Sequence, residues 1–458
     1  NGDKALALAM GQIIIKNKLY DEKYIKLYVN GFEEYKSYIL SLNIKDLSKE
    51  CGVEIYTIEE LVKLYCQKYS TILLGFGMQK YKNGGMTIRL IDALGAITGQ
   101  IGFSGGGVNY ANKVYPKILN TDPYDSEKFS NNRYYYTNEI SEFIEKCNLG
   151  NTYYKNDIFI NHEDDKGDYE LNIPIKMAII TKSNLLNQLA NINNLKRALS
   201  KVEFKVCFDM FITDTVKECD LFIPVTSQLE SEDLLFSSMM NPYLVYNEKI
   251  LEPQEKLMDE YYFFMEVAKR LKMSNYPIVT KKEYLEKVIY PLKNINSDIS
   301  LEYLKNNYFT LHKDVAWSDK NFVNESGKFE IINCEEIKKF EANKYKDISK
   351  LRLLTNHGRD SLSSQHFMDD DGIAIAYINE KEAKRSNINN NEIIYLKSEN
   401  GQIKVKINID KSIGDNIIMM FVGWWERHGN PNFLTNSGIS DIGGQITYNE
   451  TFVEIIKR

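Results

Sequence analysis

Three short runs decide the fold: KMAIITKSN (176–184), FKVCFDMFIT (204–213) and DLFIPV (220–225). Each is rich in apolar and β-branched residues, and the first two end on polar ones, the pattern of a buried strand running into a loop. Helical spacing over about 185–199 separates the first two runs, and a short helix over 214–219 separates the second from the third. Strand, loop, helix and strand in this rhythm predict a parallel α/β sheet. Ligands of such sheets sit at the C-terminal ends of the strands. Thr181-Lys-Ser-Asn184 and Asp209-x-x-x-Thr213 occupy those ends. A carboxylate such as Asp209 can accept N–H bonds from a guanine edge, as acidic side chains do from base amino groups. Helix capping is the competing reading, because Thr213 or Asp214 could close the helix at 214–219.

Upstream, DKALALAMGQIIIKNK (3–18) reads as a helix with Asp3 as its N-cap. Further helices are expected over about 21–41 and 54–69, the latter with Thr57 and Glu60 as a capping box. TILLGFGMQKY (71–81) reads as a buried strand entering a loop at Gly75 and Gly77, and a helix over about 85–99 follows. Glycines there let backbone approach a ligand, and the Gln79 amide can donate and accept together; a tight turn is the plainer alternative. Gly105-Gly-Gly107 is not a P-loop, since no Gly-Lys-Ser/Thr follows, and is expected to be flexible or close-packed backbone. Residues 113–172 are polar and irregular and read as an insertion or surface excursion.

Downstream, 257–272 forms an amphipathic helix and another covers about 281–292. From about 350 the texture changes to LRLLT, AIAYIN, EIIYLKS, QIKVKINI, NIIMMFV and TFVEIIK, an all-β barrel-like domain. Thr355-Asn-His-Gly-Arg-Asp-Ser361 after the first of these strands concentrates hydroxyls, an amide and a guanidinium, which suits phosphate oxygens; a polar surface loop is the competing reading. Trp424 and Trp425 are expected in the core rather than stacked on a cofactor.

The chain has 458 residues, enough for about three domains at roughly 150 residues each. Hydrophobic residues make up 43% and charged residues 26%, so sizeable cores can form. Fifty-seven Lys and Arg against 63 Asp and Glu leave a net charge of −6, which argues against a nucleic-acid partner. No apolar run approaches the roughly 20 residues of a membrane helix, and no secretory signal opens the chain. The first residue is Asn1 rather than Met, so a processed, trimmed or fragmentary chain is expected. Cys51, Cys66, Cys147, Cys207, Cys219 and Cys334 form no Cys-x-x-Cys and read as reduced core residues, with no compact iron–sulfur motif in this stretch. His162, His312, His357, His366 and His428 show no metal spacing, and no nucleophile–base pair stands out.

The order of the segments resembles the C-terminal two thirds of the molybdopterin oxidoreductases, which carry molybdenum or tungsten on two molybdopterin guanine dinucleotides. The matching runs begin with GDKALALAMGQIIIKNKLYDEKYI (2–25) and GFGMQKYKNGGMTIRLIDALGAITGQIGFSGGGVNYAN (75–112). DMFITDTVKECDLFIPVTSQLESED (209–233) and ILEPQEKLMDEYYFFMEVAKRL (250–271) follow. LRLLTNHGRDSLSSQ (351–365) and HGNPNFLTNSGISDIGGQ (428–445) close the series. The wording TGQIGFSGGGVNYAN (98–112) is similar to the thiosulfate- and polysulfide-reductase-like branch.

The resemblance implies parallel-sheet, Rossmann-like α/β domains followed by a six-stranded β-barrel of the double-psi type. Residues 1–75 would finish one α/β domain, 76–345 would hold a guanosine, and 346–458 would form the barrel over the dinucleotides. It further implies that Gly75 and Gln79 lie near the pterin. Asn184, Phe208, Asp209 and Thr213 would contact a guanosine, with Ser231 and Asp259 around the same nucleotide. Thr355, Asn356, His357, Arg359, Ser361, Ser364 and Gln365 would form the barrel loop over the phosphates. Trp425, Asn432 and Tyr448 would make late barrel contacts.

Where the family carries Gly-x-Asn-Pro, this chain carries Lys182-Ser183-Asn184-Leu185. The family's [4Fe–4S] cysteine motif and its protein ligand to the metal normally precede a run like GDKALALAM, so both would lie outside this chain. The expected activity of the intact protein is electron or oxygen-atom transfer on a small molecule, as in anaerobic respiration, with an electron-transfer subunit as a possible partner. This chain alone would then be inactive. The alternative is a catalytically silent relative, or a partial chain that binds nucleotide without catalysis. The expected compartment is the cytoplasm unless a twin-arginine signal directs export.

Overall fold

The computed structural model describes residues 2–67, 70–111, 115–125, 135–149, 153–154, 169–170, 174–236, 242–254, 257–311, 315–339, 350–359, 362–365 and 371–457. The chain divides into two compact units: residues 1–110 with 312–354 and 436–452, and residues 111–311 with 355–435 and 453–458.

The first unit is helical. Helices α1 (Asp3–Lys16), α2 (Glu22–Tyr28), α3 (Phe32–Ser41), α4 (Ile44–Cys51), α5 (Ile55–Tyr65) and α6 (Gly84–Ile97) surround one apolar core. Helix α1 is its centre, buried nearly all round from Ala5 to Ile15, which accounts for its run of small and aliphatic residues. Gly2, not Asp3, takes the N-cap position. The expected helix 21–41 is two helices. Gly31 at φ 80° breaks it, and Val29–Asn30 pairs in parallel with Phe329–Glu330 instead. Helix α4 was not anticipated; Asn43 caps it, accepting from the Lys45 N–H, and Leu47 is its one buried side chain. Helix α5 has Glu54 as its N-cap, so Thr57 and Glu60 lie inside it and form no capping box. Strand β1 (Thr71–Leu73) pairs in parallel with β2 (Gly107–Asn109).

The second unit holds the predicted sheet. Strands β3 (Met177–Thr181), β4 (Phe204–Asp209) and β5 (Leu221–Pro224) lie side by side in that order, all parallel. Helices α7 (Leu185–Gln188), α8 (Ile192–Leu199) and α9 (Asp214–Lys217) connect them. The expected helix 185–199 is interrupted at Asn191, whose φ of 53° is left-handed and whose side chain caps α8. Helix α10 (Glu260–Arg270) packs Phe263 and Phe264 against Phe208 of β4. The described part of 113–172 is more than a surface excursion. A helix over Ile140–Leu149 buries Ile144 against Leu186, Leu195 and Ala198 of this unit.

Strands β6 (Leu351–Asn356), β7 (Ile375–Ile378), β8 (Ile393–Lys397), β9 (Gln402–Ile409), β10 (Ile417–Phe421) and β11 (Thr451–Ile456) close a barrel in the order β6-β10-β7-β9-β8-β11. All six match the expected β runs. Alternate residues point inward: Leu351, Leu353, Ala376, Ile378, Ile394, Leu396, Val405, Ile407, Ile418 and Met420 are all buried. Trp424 and Trp425 are buried as expected. Among the described residues no helix is long and apolar enough to cross a membrane.

Candidate functional site

The C-terminal ends of β3, β4 and β5 gather Asn184, Asp209 and Thr226 in the second unit. Strand β3 turns at Lys182, which has a φ of 46° and donates its backbone N–H to the Phe208 carbonyl at 2.8 Å. Asn184 follows, buried at 4% exposure. Its Oδ1 accepts from the Thr215 backbone N–H at 3.3 Å and hydroxyl at 2.8 Å. That fixes the amide so that Nδ2 is known to be the other atom, and this buried Nδ2 has no hydrogen-bond partner.

Asp209 ends β4. Its Oδ1 accepts the Met210 N–H at 2.7 Å. Burial pushes its carboxyl above the ordinary range, backbone N–H groups of Met210 and Phe211 pull it back, and Glu260 adds to the rise. Phe208 beside it is fully buried and holds the strand against α10 rather than facing solvent. Thr213 is the N-cap of α9, accepting from the Val216 N–H at 3.3 Å, so the capping role is real.

Strand β5 leads to Thr226, whose hydroxyl is buried and without a partner. Its backbone N–H donates to Met258, beside a parallel bridge between Val225 and Met258. This bridge brings Asp259 to the same end of the sheet. Asp259 caps α10 through Oδ1, and Oδ2 pairs with Lys281 at 3.0 Å in a largely buried contact. Lys182 pairs with Glu260 at 3.0 Å. Ser231 is set further along, donating its hydroxyl to the Ser227 carbonyl.

The barrel residues of this unit form a second polar group. Trp425 donates its indole N–H to the Ser364 carbonyl at 3.0 Å, and Gln188 donates to the Ser364 hydroxyl at 3.4 Å. Asn432 uses both amide protons on the carbonyls of Asn187 (2.8 Å) and Gln188 (3.2 Å), and its Oδ1 accepts from Thr435. Asn430 also donates to Asn187. Asn432 is therefore a clamp between α7 and the loop after β10. Thr355 is buried on β6, whereas Asn356, His357, Arg359 and Gln365 are exposed. Ser361 lies outside the described residues.

Gly75, Gln79 and Tyr448 belong to the first unit. Gly75 is exposed and precedes a 3₁₀ turn (Phe76–Lys80) in which Gln79 is half-buried. Gly84 sits so close that a Cβ would meet the Met78 carbonyl oxygen at 2.4 Å, which explains a glycine there. Lys80 lies 5.5 Å from the Tyr448 ring centre, and burial pulls its ammonium pKa down. Tyr448 is pushed up to about 12, also by burial. Asp441 closes the N-terminus of α6, accepting from Gly85 and Met86, each at 2.9 Å.

Sequence reasoning passed over Thr226 and the asparagines 187 and 430. Thr226 was findable, since it follows the apolar run of β5 directly. The asparagines carried no local signal, because their partners are up to 243 residues away.

Comparisons with known proteins agree with this architecture. The family described as Molybdopterin oxidoreductase matches residues 1–270, and the one described as Molydopterin dinucleotide binding domain matches residues 352–452. The chain belongs to the molybdopterin oxidoreductase family. It is 28% identical over 96% of its length to "Probable oxidoreductase YyaE" of Bacillus subtilis. It is 24% identical, again over 96%, to the F420-dependent formate dehydrogenase subunit alpha of Methanocaldococcus jannaschii. Over 58% of its length it is 26% identical to the trimethylamine-N-oxide reductase of Pasteurella multocida. The chain spans 66% of the first two relatives and 34% of the third. Acetylene hydratase from Pelobacter acetylenicus shares the fold, with a TM-score of 0.71 over 100% of this chain and 70% of that one at 20% identity.

Proposed function

We propose that this chain is the C-terminal cofactor-binding part of a bis-molybdopterin guanine dinucleotide oxidoreductase that transfers electrons or an oxygen atom on a small substrate. One observation carries the reading: two buried, unpartnered polar groups, Asn184 Nδ2 and Thr226 Oγ1, on the strand ends either side of Asp209. Leaving such groups unsatisfied costs about 1–3 kcal/mol each, so a ligand that completes them is favoured. A donor amide, a hydroxyl and a carboxylate suit the edge and sugar of a guanosine, so the residues present fit the group. When bound, the metal dithiolene centre supplies the redox chemistry. This chain's side chains bind and orient the nucleotide. Asp209 and Asn184 would hold the nucleoside, and the exposed Arg359 with Ser364 would meet phosphate oxygens. Asp259 would act through one oxygen, since the other is held by Lys281.

The test is nucleotide content. The full chain, purified from a host that makes the molybdenum cofactor, is hydrolysed in acid and its guanosine monophosphate and metal are quantified. Bound guanine nucleotide is expected, with about tenfold less in Asp209→Asn. Absence of guanine nucleotide from the parent protein, or full retention in both Asp209→Asn and Asn184→Ala, sinks the reading.

A further inference from the structure

The glycine-rich run 101–107 plays no part in the site above, yet it shapes a cavity of its own. In the first unit it faces a turn at 315–322 across a space of about 420 Å³. Glycine is required for that approach. A Cβ on Gly102 would meet the Trp317 carbonyl oxygen at 2.3 Å, and Gly102 itself has a φ of 83°. Opposite, Trp317 adopts a φ of 59°, a conformation bulky residues avoid.

The walls are aromatic. Trp317 stacks on Phe322 with ring centres 5.5 Å apart, and Phe322 meets Phe329 edge to face at 5.8 Å. One carboxylate, Asp92 of α6, lines this cavity; it also lines an adjoining one of about 280 Å³, together with Arg89 and Glu330. Among the described residues neither a hydrogen bond nor an ion pair satisfies it. Arg89, one turn back, instead donates to the Glu330 carbonyl at 3.0 Å. Burial pushes the Asp92 carboxyl up to about 6, eased by the Arg89 charge. An aromatic pocket with an unsatisfied carboxylate recognises a cation with an apolar body: the charge meets the carboxylate and the body meets ring faces. The rim already shows the chemistry. The Lys320 ammonium lies 4.3 Å from the Phe103 ring centre and donates to the Gly102 carbonyl at 2.6 Å.

We propose that this cavity binds a compact organic ammonium ion with an aromatic or apolar body, Asp92 serving as counter-ion and Trp317, Phe322 and Phe329 as walls. The site is independent of the nucleotide reading.

The probe is phenethylammonium, titrated into the full chain at pH 8 and followed by Trp fluorescence and calorimetry. Its uncharged counterpart of the same shape, 2-phenylethanol, is the control. Saturable binding of the ammonium, at least about tenfold tighter than the alcohol, is expected. Asp92→Asn should remove that preference, and Trp317→Leu should weaken both ligands, since Trp317 is 43% exposed and its replacement leaves the core intact. Circular dichroism confirms that each variant is folded. Equal binding of ammonium and alcohol, no binding by the parent chain, or an undiminished preference in folded Asp92→Asn each overturns the proposal. If Asp92→Asn does not fold, the ammonium preference of the parent chain and its weakening in Trp317→Leu decide the matter.

Discussion

The barrel and the three-stranded sheet are made of similar β runs but bury them in opposite ways. In the barrel each strand has a neighbour on both sides, and inward residues such as Leu396 and Val405 are sealed. The sheet is open. Among the described residues strand β3 pairs on one side only, and Met177, Ile179, Phe204 and Leu221 are 42–50% exposed. The opening is uneven, however. At the C-terminal ends of the same strands Phe208 and Val225 are buried under α10, together with Phe263. The sheet is therefore covered where α10 packs on Phe208 and Val225, while Met210, Phe211 and Ile212 just beyond Asp209 are 49–62% exposed. Asn432, in the loop after β10, gives both amide protons to carbonyls of α7, whereas the sheet's strand ends leave the Asn184 amide nitrogen and the Thr226 hydroxyl unpartnered.

Breaking the barrel should cost most. Leu396→Ala is expected to lower unfolding free energy by about 2–5 kcal/mol, read from denaturant titration. The matching cut in the middle of the edge strand β3, at the 44% exposed Ile179, should cost under about 1 kcal/mol in Ile179→Ala; an equal loss would erase the contrast. Asn184→Ala comes next. It strips the acceptor from the Thr215 N–H and hydroxyl, so about 1–3 kcal/mol of stability should go, along with the nucleotide. Thr213→Ala removes the α9 cap, about 1 kcal/mol by thermal melt.

Asp209→Asn should be smallest in stability and opposite in sign. Because burial raises the folded carboxyl pKa, the folded chain holds more protons than the unfolded one between the ordinary and raised values. This group's contribution to stability therefore falls as pH rises through that window. The variant should be more stable than the parent at neutral pH, and the difference should shrink as pH falls through that window. A variant less stable than the parent at pH 7 would contradict the assignment.

The elements with a clean period were legible. All six barrel strands and α6 could be placed because one face of each alternates or recurs against a core, and β3 to β5 because each is a short apolar, β-branched run. Breaks were less legible. Gly31 and Asn191 interrupt otherwise helical runs, and each break depends on a single left-handed residue. Asp209 and Asn184 were found from their place after apolar runs, whereas Asp259 needed the resemblance, since its link to the sheet is the Val225–Met258 bridge.

The sequence alone determined the element types, the parallel rhythm of the sheet and the barrel, because hydrophobic period is a local property. It also carried the family, through ordered runs that no single segment could establish. Which polar groups are spent and which are spare was decided by tertiary structure alone. Asn432 and Asn184 look alike in sequence, yet one gives both amide protons to distant carbonyls and the other keeps its amide nitrogen unpartnered. Hydrogen-bond satisfaction depends on partners far along the chain, and only the folded backbone brings them within reach.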